Sequence, residues 1–399
     1  MASAVSDIPI LDHDPYAREF LADPFPAYAA MRAAGPVFRL SRYDALGMAR
    51  YAEVHGALQN WQGFGSAAGV GLADFRKEKP WRPPSLLLET DPPLHDRTRG
   101  AINRVMAPAS LRNLREDFTR DAVTLVDRLV ARRRFDGVKD LAEVYPVKVF
   151  PDAVGLPTQG RENLLPYGDM AFNAFGPLND RFRQSAACAD TVVPWITAAC
   201  RRESLRPGGL GAQVYEAVER GEASEEEAAL LVRSFLTAGM DTTVAALGSA
   251  LHCFATNPGE WQKLRRDPTL ARAAFEEVIR YESPIQSFFR TTTRALRFAE
   301  TELGAGQKVL LFFGAANRDP AQFTDAERFD ITRKPAAHVG FGAGIHHCVG
   351  QIIARLEGEI VLTTLAERVA TLALDGTPER RFNNSVRGLA RLPLVVEPA

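Results

Sequence analysis

The chain has 399 residues, of which 46% are hydrophobic and 24% are charged, as in ordinary globular proteins. Its formal net charge of −1 gives no electrostatic preference for nucleic acid or an anionic membrane, and neither is expected as a partner. The cysteines Cys188, Cys200, Cys253 and Cys348 are scattered, which favours a reducing compartment over a disulfide framework. No basic and apolar leader opens the sequence and no uninterrupted apolar stretch matches a bilayer, so a cytoplasmic location is expected.

Hydrophobic periodicity predicts a mainly α-helical fold with small β-sheets, of the α+β class. Helical patterns cover 109–134, 185–205, 224–256, 259–282 and 351–370, and short strand-like runs lie near 36–41, 297–303, 308–312 and 392–397. Turn-forming clusters at 206–209 and 317–320 separate some of them, but no linker or repeat divides the chain. A single domain over 1–399 is therefore expected.

The pattern over 224–256 predicts a helix long enough to cross the molecule. Ser224 and Glu227 have the spacing of a capping box, which marks its start. Gly239 lies near the middle, where glycine costs roughly 1 kcal/mol relative to alanine, so it requires a reason. Close approach of a ligand and close helix packing both remain open. Thr242 could bond back to a preceding carbonyl and widen the helix locally.

A glycine-rich turn precedes the last predicted helix and contains one cysteine, in the run Phe341-Gly-Ala-Gly-Ile-His-His-Cys348-Val-Gly350. A thiolate at Cys348 would lie near a helix N-terminus, where N–H groups and the helix dipole favour an anion. A zinc site formed with His346 and His347 is disfavoured, because adjacent residues rarely surround one tetrahedral ion and no Cys-x-x-Cys partner exists.

The spacing Phe-x-x-Gly-x-x-x-Cys-x-Gly resembles the haem-thiolate signature of the cytochromes P-450. The resemblance extends over nearly the whole chain and implies a P-450 fold, with haem b buried between the long helix and the cysteine turn. Cys348 would be the axial iron ligand. It also implies the bacterial type of enzyme, which uses O2 and takes electrons from NAD(P)H through a ferredoxin and its reductase.

The same resemblance assigns roles to other residues. Asp241 and Thr242 match the acid–alcohol pair that delivers protons during oxygen activation, and they disfavour a non-enzymatic haem sensor. The residues expected to contact the haem are His95, Arg99, Arg290, Phe341, Gly344, His346 and Gly350. Glu277 and Arg280 match a structural ion pair, and Arg328 is expected to join it. The basic stretch 97–115, which includes Arg104 and Arg112, could dock an acidic ferredoxin.

Several stretches resemble, more narrowly, the P-450 enzymes that oxidise para-substituted benzoates such as 4-methoxybenzoate. They include 81–85, 172–177 and 381–388. The resemblance implies a substrate-binding set of Arg82, Ser85, Leu88, Phe172, Phe175, Arg233, Ser234, Thr237, Ala238, Ile285 and Phe288. At 1.5 Å per residue, Ser234 lies roughly 12 Å from Thr242 along the helix, a span that fits a substituted benzoate.

Two alternatives remain open for this set. Arg82 could pair with a local carboxylate, and the phenylalanines could be ordinary core residues. The substrate could also be another aromatic acid, such as a cinnamate, or a bulkier biosynthetic intermediate. Thr237 stands where close relatives are expected to carry serine, so the para group that fits best is not determined.

Overall fold

The computed structural model describes residues 8–112, 114–334 and 337–399, with backbone only at 109 and 110. The first seven residues, which belong to the segment judged to lack a leader, lie outside this part. In the described residues the α-helices are α1 (Arg18–Ala22), α2 (Phe25–Ala34), α3 (Tyr51–Gln59), α4 (Leu94–Val105), α5 (Pro108–Leu111), α6 (Leu114–Arg132), α7 (Val144–Val154), α8 (Leu164–Asn173), α9 (Asp180–Ala186), α10 (Ala189–Ala199), α11 (Leu210–Val214), α12 (Glu216–Glu219), α13 (Glu225–Ala238), α14 (Asp241–Thr256), α15 (Pro258–Arg266), α16 (Ala271–Glu282), α17 (Phe313–Ala316) and α18 (Gln351–Arg368).

The strands form four small sheets. They are β1 (Ile10–Leu11), β2 (Phe38–Leu40), β3 (Ala45–Met48), β4 (Phe64–Gly65), β5 (Arg134–Asp136), β6 (Ser287–Thr292), β7 (Leu296–Phe298), β8 (Thr301–Leu303), β9 (Lys308–Phe312), β10 (Val369–Leu374), β11 (Glu379–Phe382), β12 (Arg387–Arg391) and β13 (Pro393–Pro398). The largest has the order β1-β2-β3-β9-β6-β4, and the others pair β10-β13-β5, β11-β12 and β7-β8. The predicted α+β class with small sheets is confirmed.

Most of the predicted helices are present but divided. The segment 259–282 forms α15 and α16, because Pro268 cannot donate to the helical ladder of α15. The segment 109–134 is covered by α5 and by α6, which ends at Arg132 before β5, and position 113 lies outside the described residues. The segment 351–370 is one helix, α18.

The main core is formed by α6, α7, α13, α14, α16 and α18, whose apolar faces bury one contiguous cluster. A second cluster lies between α3 and the six-stranded sheet. The cysteine turn runs between these two hydrophobic clusters before α18 begins. One side of the turn therefore faces the interior of the protein, opposite α13 and α14.

The predicted long helix is interrupted between α13 and α14. The capping box at Ser224 is present, with the hydroxyl accepting from Glu227 N and the Glu227 carboxylate accepting from Ser224 N. Gly239 and Met240 retain right-handed helical dihedrals, so the helical path continues through the break. By length and composition the path from Glu225 to Thr256 could cross a membrane, but 67% of its most apolar window is buried within the protein. We therefore regard it as a core element.

Packing explains why glycine occupies position 239. A side-chain carbon placed there would lie 2.2 Å from a ring carbon of Phe150 on α7 and 2.7 Å from the Phe235 carbonyl oxygen. Both distances are far below van der Waals contact. The close helix packing that the sequence left as one of two reasons is therefore present.

Candidate active site

A cavity of about 230 Å³ lies between α13–α14 and the cysteine turn. Its walls are apolar for the most part, and residues of α8, α16, β6 and the loop 82–88 complete it. Cys348, Thr242, Arg82 and Ser234 all border the cavity.

Backbone geometry holds the cysteine turn closed. Cys348 N donates to Phe341 O at 2.8 Å. Gly344 has a φ of +67°, and a side-chain carbon there would lie 2.2 Å from the Leu58 carbonyl oxygen, so only glycine fits. Burial raises the pKa of the Cys348 thiol, while the N–H groups of Gly350 and Gln351 and nearby guanidinium groups oppose that effect. These donors are suited to a thiolate that binds a metal.

Nitrogen donors converge beside the turn. The rings of His95 and His346 meet edge to face with centroids 4.5 Å apart, and Nε2 of each is buried without a hydrogen-bond partner in the described structure. Arg290 is 4% exposed, and burial lowers its pKa to about 10. Burial also lowers the pKa of Arg99, which borders the cavity near Cys348. The two unpartnered histidine nitrogens and the buried guanidinium of Arg290 fit the propionate groups of a haem.

The predicted acid of the acid–alcohol pair is held by an arginine. Asp241 is 1% exposed, and both its carboxylate oxygens accept from Arg381, each at 2.7 Å. Arg381 also donates to Asp169 Oδ1 at 2.8 Å, and Asn383 donates to the same oxygen at 3.0 Å. Burial acts to lower the pKa of Arg381, but the two carboxylates outweigh it and raise that pKa. Arg381 was not assigned a role from sequence.

The predicted alcohol lies at the helix break. Thr242 Oγ1 donates to Ala238 O at 2.8 Å, which is the back-bond that the sequence predicted. The bond consumes the hydroxyl proton and leaves the oxygen lone pairs directed away from the backbone. Thr242 borders the cavity together with Ala238 and Cys348.

The structural ion pair is present, but its third member was predicted wrongly. Arg280 donates to both oxygens of Glu277, at 2.7 and 2.8 Å, and both side chains are 2% exposed. The additional guanidinium belongs to Arg333, whose Nε lies 3.4 Å from Glu277. The Arg328 side chain is 61% exposed, and only its carbonyl oxygen contacts Arg280. Arg328 therefore supplies a backbone acceptor rather than a charge.

The basic stretch 97–115 is largely neutralised within the molecule. Arg97 forms two hydrogen bonds with the Glu227 carboxylate, at 2.6 and 2.9 Å. Arg104 pairs with Glu222, and Arg115 pairs with Glu359 at 3.0 Å. Arg97 and Arg104 thus attach α4 to the start of α13, and the stretch carries less free positive charge than its sequence suggests.

Arg82 makes the local ion pair that the sequence left open. Its Nη1 lies 3.2 Å from Glu89 Oε2, and Glu89 is 4% exposed. The Nε of Arg82 is buried and has no hydrogen-bond partner among the described residues. Arg233 donates to the carbonyl oxygens of Pro83 at 2.8 Å and Pro84 at 3.3 Å, which ties the loop to α13. Two guanidinium groups and one carboxylate leave this end of the cavity with an excess positive charge.

The predicted aromatic wall is assembled. Phe172 and Phe175 meet edge to face at 5.9 Å, Phe175 and Phe288 at 5.3 Å, and Phe288 and Phe313 at 6.0 Å. Leu88 and Ile285 pack against the same group. Phe313, which sequence analysis did not identify, belongs to the short helix α17. The wall offers flat apolar surfaces to an aromatic ring.

Comparison with known proteins settles the family. The sequence model named Cytochrome P450 matches residues 210–395. The chain is 52% identical over 396 residues to Cytochrome p450 CYP199A2 of Rhodopseudomonas palustris, covering 98% of this chain and 95% of that one. The chain belongs to the cytochrome P450 family. It is also 34% identical to Cytochrome P450 107B1 of Saccharopolyspora erythraea, covering 94% and 95% of the two chains.

The fold agrees with that assignment. The structure of Cytochrome P450 CYP109Q5 from Chondromyces apiculatus superposes with a TM-score of 0.82 at 26% identity, covering 97% of this chain and 99% of that one. The protein is therefore a cytochrome P450 monooxygenase, an oxidoreductase that uses haem b and O2 with electrons from NAD(P)H through redox partners. The chemistry that bound haem would supply is the activation of dioxygen, which is the source of the inserted oxygen atom. Cys348 would hold the iron, and His95, Arg99, Arg290 and His346 would hold the propionates.

Proposed function

We propose that this cytochrome P450 oxidises the para substituent of a benzoate-type acid, with O-demethylation of 4-methoxybenzoate as the representative reaction. The observation that carries the proposal is an apolar, phenylalanine-walled cavity bordered both by the donors Arg82, Ser85 and Arg233 and by Thr242 and Cys348. An aromatic acid has the matching distribution of charge, flat apolar surface and reactive end.

Arg82 and Ser85 supply the donors for the carboxylate. Ser85 Oγ accepts from Leu88 N at 3.2 Å and from Leu87 N at 3.4 Å, so its hydroxyl proton is available to a ligand. The free Nε–H of Arg82 adds a charge-assisted donor from the same loop. Glu89 occupies a different nitrogen of Arg82, so the local pair and the ligand contact are compatible.

The hydroxyls of α13 have a different character. Ser234 Oγ donates to Leu230 O at 3.1 Å, and Thr237 Oγ1 donates to Arg233 O at 2.9 Å. Each therefore presents lone pairs to the cavity and repels a carboxylate unless its bond to the backbone breaks. They accept readily from a water molecule, and through water they could join the carboxylate site. We therefore assign the direct contacts to Arg82 and Ser85 and a supporting role to Ser234.

The para substituent would lie at the Thr242 end, against Ala238. Hydroxylation of a 4-methoxy methyl group gives a hemiacetal, which releases formaldehyde and leaves 4-hydroxybenzoate. The balanced reaction consumes one O2, two electrons and two protons, and it also releases one water. The phenylalanine wall holds the ring so that the methyl group is the part presented for oxidation.

Proton delivery is proposed to pass through Asp241 and Thr242. Since Arg381 holds both oxygens of Asp241, the carboxylate must turn away from that arginine, or bind a water in addition, before it can serve Thr242. Asp169 shares Arg381 and can retain the guanidinium when Asp241 leaves. The electrons are proposed to come from a ferredoxin and its reductase, in the cytoplasm.

The test is turnover with NADH, a bacterial ferredoxin and its reductase on a panel of para-substituted benzoates and cinnamates. We expect 4-methoxybenzoate to yield formaldehyde and 4-hydroxybenzoate in equal amounts. The matched control is 4-methoxybenzamide, which has the same shape without the negative charge, and it should be oxidised far less efficiently. Preference for cinnamates would support the longer aromatic acid, and equal use of the amide would contradict the carboxylate site.

A further inference from the structure

A group of charged side chains packs against Phe341 on the outer side of the cysteine turn. The guanidinium carbon of Arg355 lies 4.6 Å from the Phe341 ring centroid, and the His338 ring lies 5.8 Å from it at 43°. The three side chains belong to α18 and to the segment that leads into the turn.

Glu276 on α16 joins this group and fixes its geometry. Its carboxylate accepts from Arg355 Nε, and from Arg355 Nη2 at 3.2 Å. His338 Nε2 lies 2.7 Å from Glu276 Oε2, and Arg355 Nη1 also donates to the side-chain oxygen of Gln351. The side chains of Glu276 and His338 are 8% exposed, so this is a buried arrangement rather than a surface pair.

The group is coupled to the sulfur by two routes. Phe341 O accepts from Cys348 N, so the residue that Arg355 covers also closes the turn. The guanidinium of Arg355 is also near enough for its positive charge to act on the Cys348 sulfur. An ion pair whose only role were to join α16 to α18 would not need to lie over Phe341.

We propose that Arg355 is a positioning residue for the Cys348 thiolate and that Glu276 sets how much of the Arg355 charge reaches the sulfur. The field of a cation favours any state that carries more negative charge near it. Reduction of bound haem adds one negative charge beside the sulfur. Arg355 therefore favours the reduced state, and Glu276 partly cancels that effect.

The proposal rests on family membership and not on the identity of the substrate. Its experiment is the haem reduction potential of the substrate-free holoenzyme, measured by spectroelectrochemistry. Arg355→Gln should lower the potential and Glu276→Gln should raise it. Arg355→Lys, which keeps the charge, should stay closer to the unaltered enzyme, and the double variant should fall between the single ones.

The matched control is Glu359→Gln, which removes a carboxylate from the same helix away from Phe341 and should leave the potential unchanged. A structural role alone would move both single variants in the same direction or neither, and either result overturns the proposal. If Arg355→Gln retains too little haem to measure, Glu276→Gln decides the question: its potential should rise while that of Arg355→Lys stays near the unaltered enzyme, and a lowered or unchanged potential in Glu276→Gln overturns the proposal. Failure here would leave benzoate turnover untouched, so the two proposals can fail independently.

Discussion

Removing the charge of Arg82 should weaken the binding of aromatic acids without disturbing the haem. A simple Arg82→Ala variant is hard to interpret, because it would leave Glu89 buried at 4% exposure without its cation. A lone buried carboxylate is destabilising by roughly 3–5 kcal/mol. We therefore pair Arg82→Gln with Glu89→Gln, so that a neutral pair replaces a charged one.

The expected magnitude follows from the lost donor. A hydrogen bond to a charged group contributes about 1.5–3 kcal/mol. Its loss should raise the dissociation constant for 4-methoxybenzoate roughly 10- to 150-fold. Ser85→Ala removes the second donor and should fall near the lower end of that range. Glu89→Gln alone has the opposite effect, because it leaves the charge of Arg82 uncompensated, and binding should tighten.

The assay is titration of the haem absorption spectrum with the acid and with 4-methoxybenzamide. The paired variant should lose affinity for the acid, while its affinity for the amide changes little. The absorption spectrum of its reduced, carbon monoxide-bound form should keep the red-shifted band. If both the paired variant and Ser85→Ala bound the acid as tightly as the unaltered enzyme, the carboxylate site would be wrong. Equal losses for acid and amide would indicate a change in loop structure instead.

Three further predictions concern other parts of the site. Asp241→Asn should keep substrate binding but lower turnover by about 10²- to 10⁴-fold, the usual range for a lost acid–base group, and enlarge the solvent isotope effect. Arg381→Gln should also alter that isotope effect, and an unchanged isotope effect in both variants would contradict the proton relay. Arg333→Ala should lower the free energy of unfolding by about 1–3 kcal/mol, because it removes a cation from buried Glu277. Arg328→Ala should change that free energy by no more than about 0.5 kcal/mol, and chemical denaturation measures both. Burial would raise the pKa of Glu276, but its ion pairs hold it at about 2. Its contribution to the free energy of unfolding is therefore present above the unfolded pKa and is lost as the pH falls from about 4.5 to 2. Acid unfolding of Glu276→Gln should lack that part of the pH dependence, and identical acid titrations of the two proteins would refute the assignment.

Much of the site was predictable because its signals are local. The cysteine turn, the helix that follows it and the capping box at Ser224 each depend on residues close in sequence. The Thr242 back-bond was predictable for the same reason, since it spans one helical turn. Phe172, Phe175 and Phe288 required family resemblance, because they come from distant segments, and Phe313 of α17 was missed.

The remaining features depend on contacts between distant segments. Arg381 reaches Asp241 across 140 positions, and the stretch that contains it was recognised without a role. Arg333 was missed in favour of Arg328, because only the path of the chain shows which guanidinium before the turn returns to Glu277. The ion pairs of Arg97 and Arg104 were missed likewise, since composition shows a basic stretch but not the acids that face it.

The most direct test of the account is a crystal structure of the holoenzyme with 4-methoxybenzoate. We predict that the carboxylate lies within hydrogen-bond distance of Arg82 Nε and Ser85 Oγ, with the ring against Phe172, Phe175 and Phe288. The methoxy group should point toward Thr242 and the haem held by Cys348. A carboxylate bound elsewhere, or a ring in the opposite orientation, would contradict the proposed substrate site.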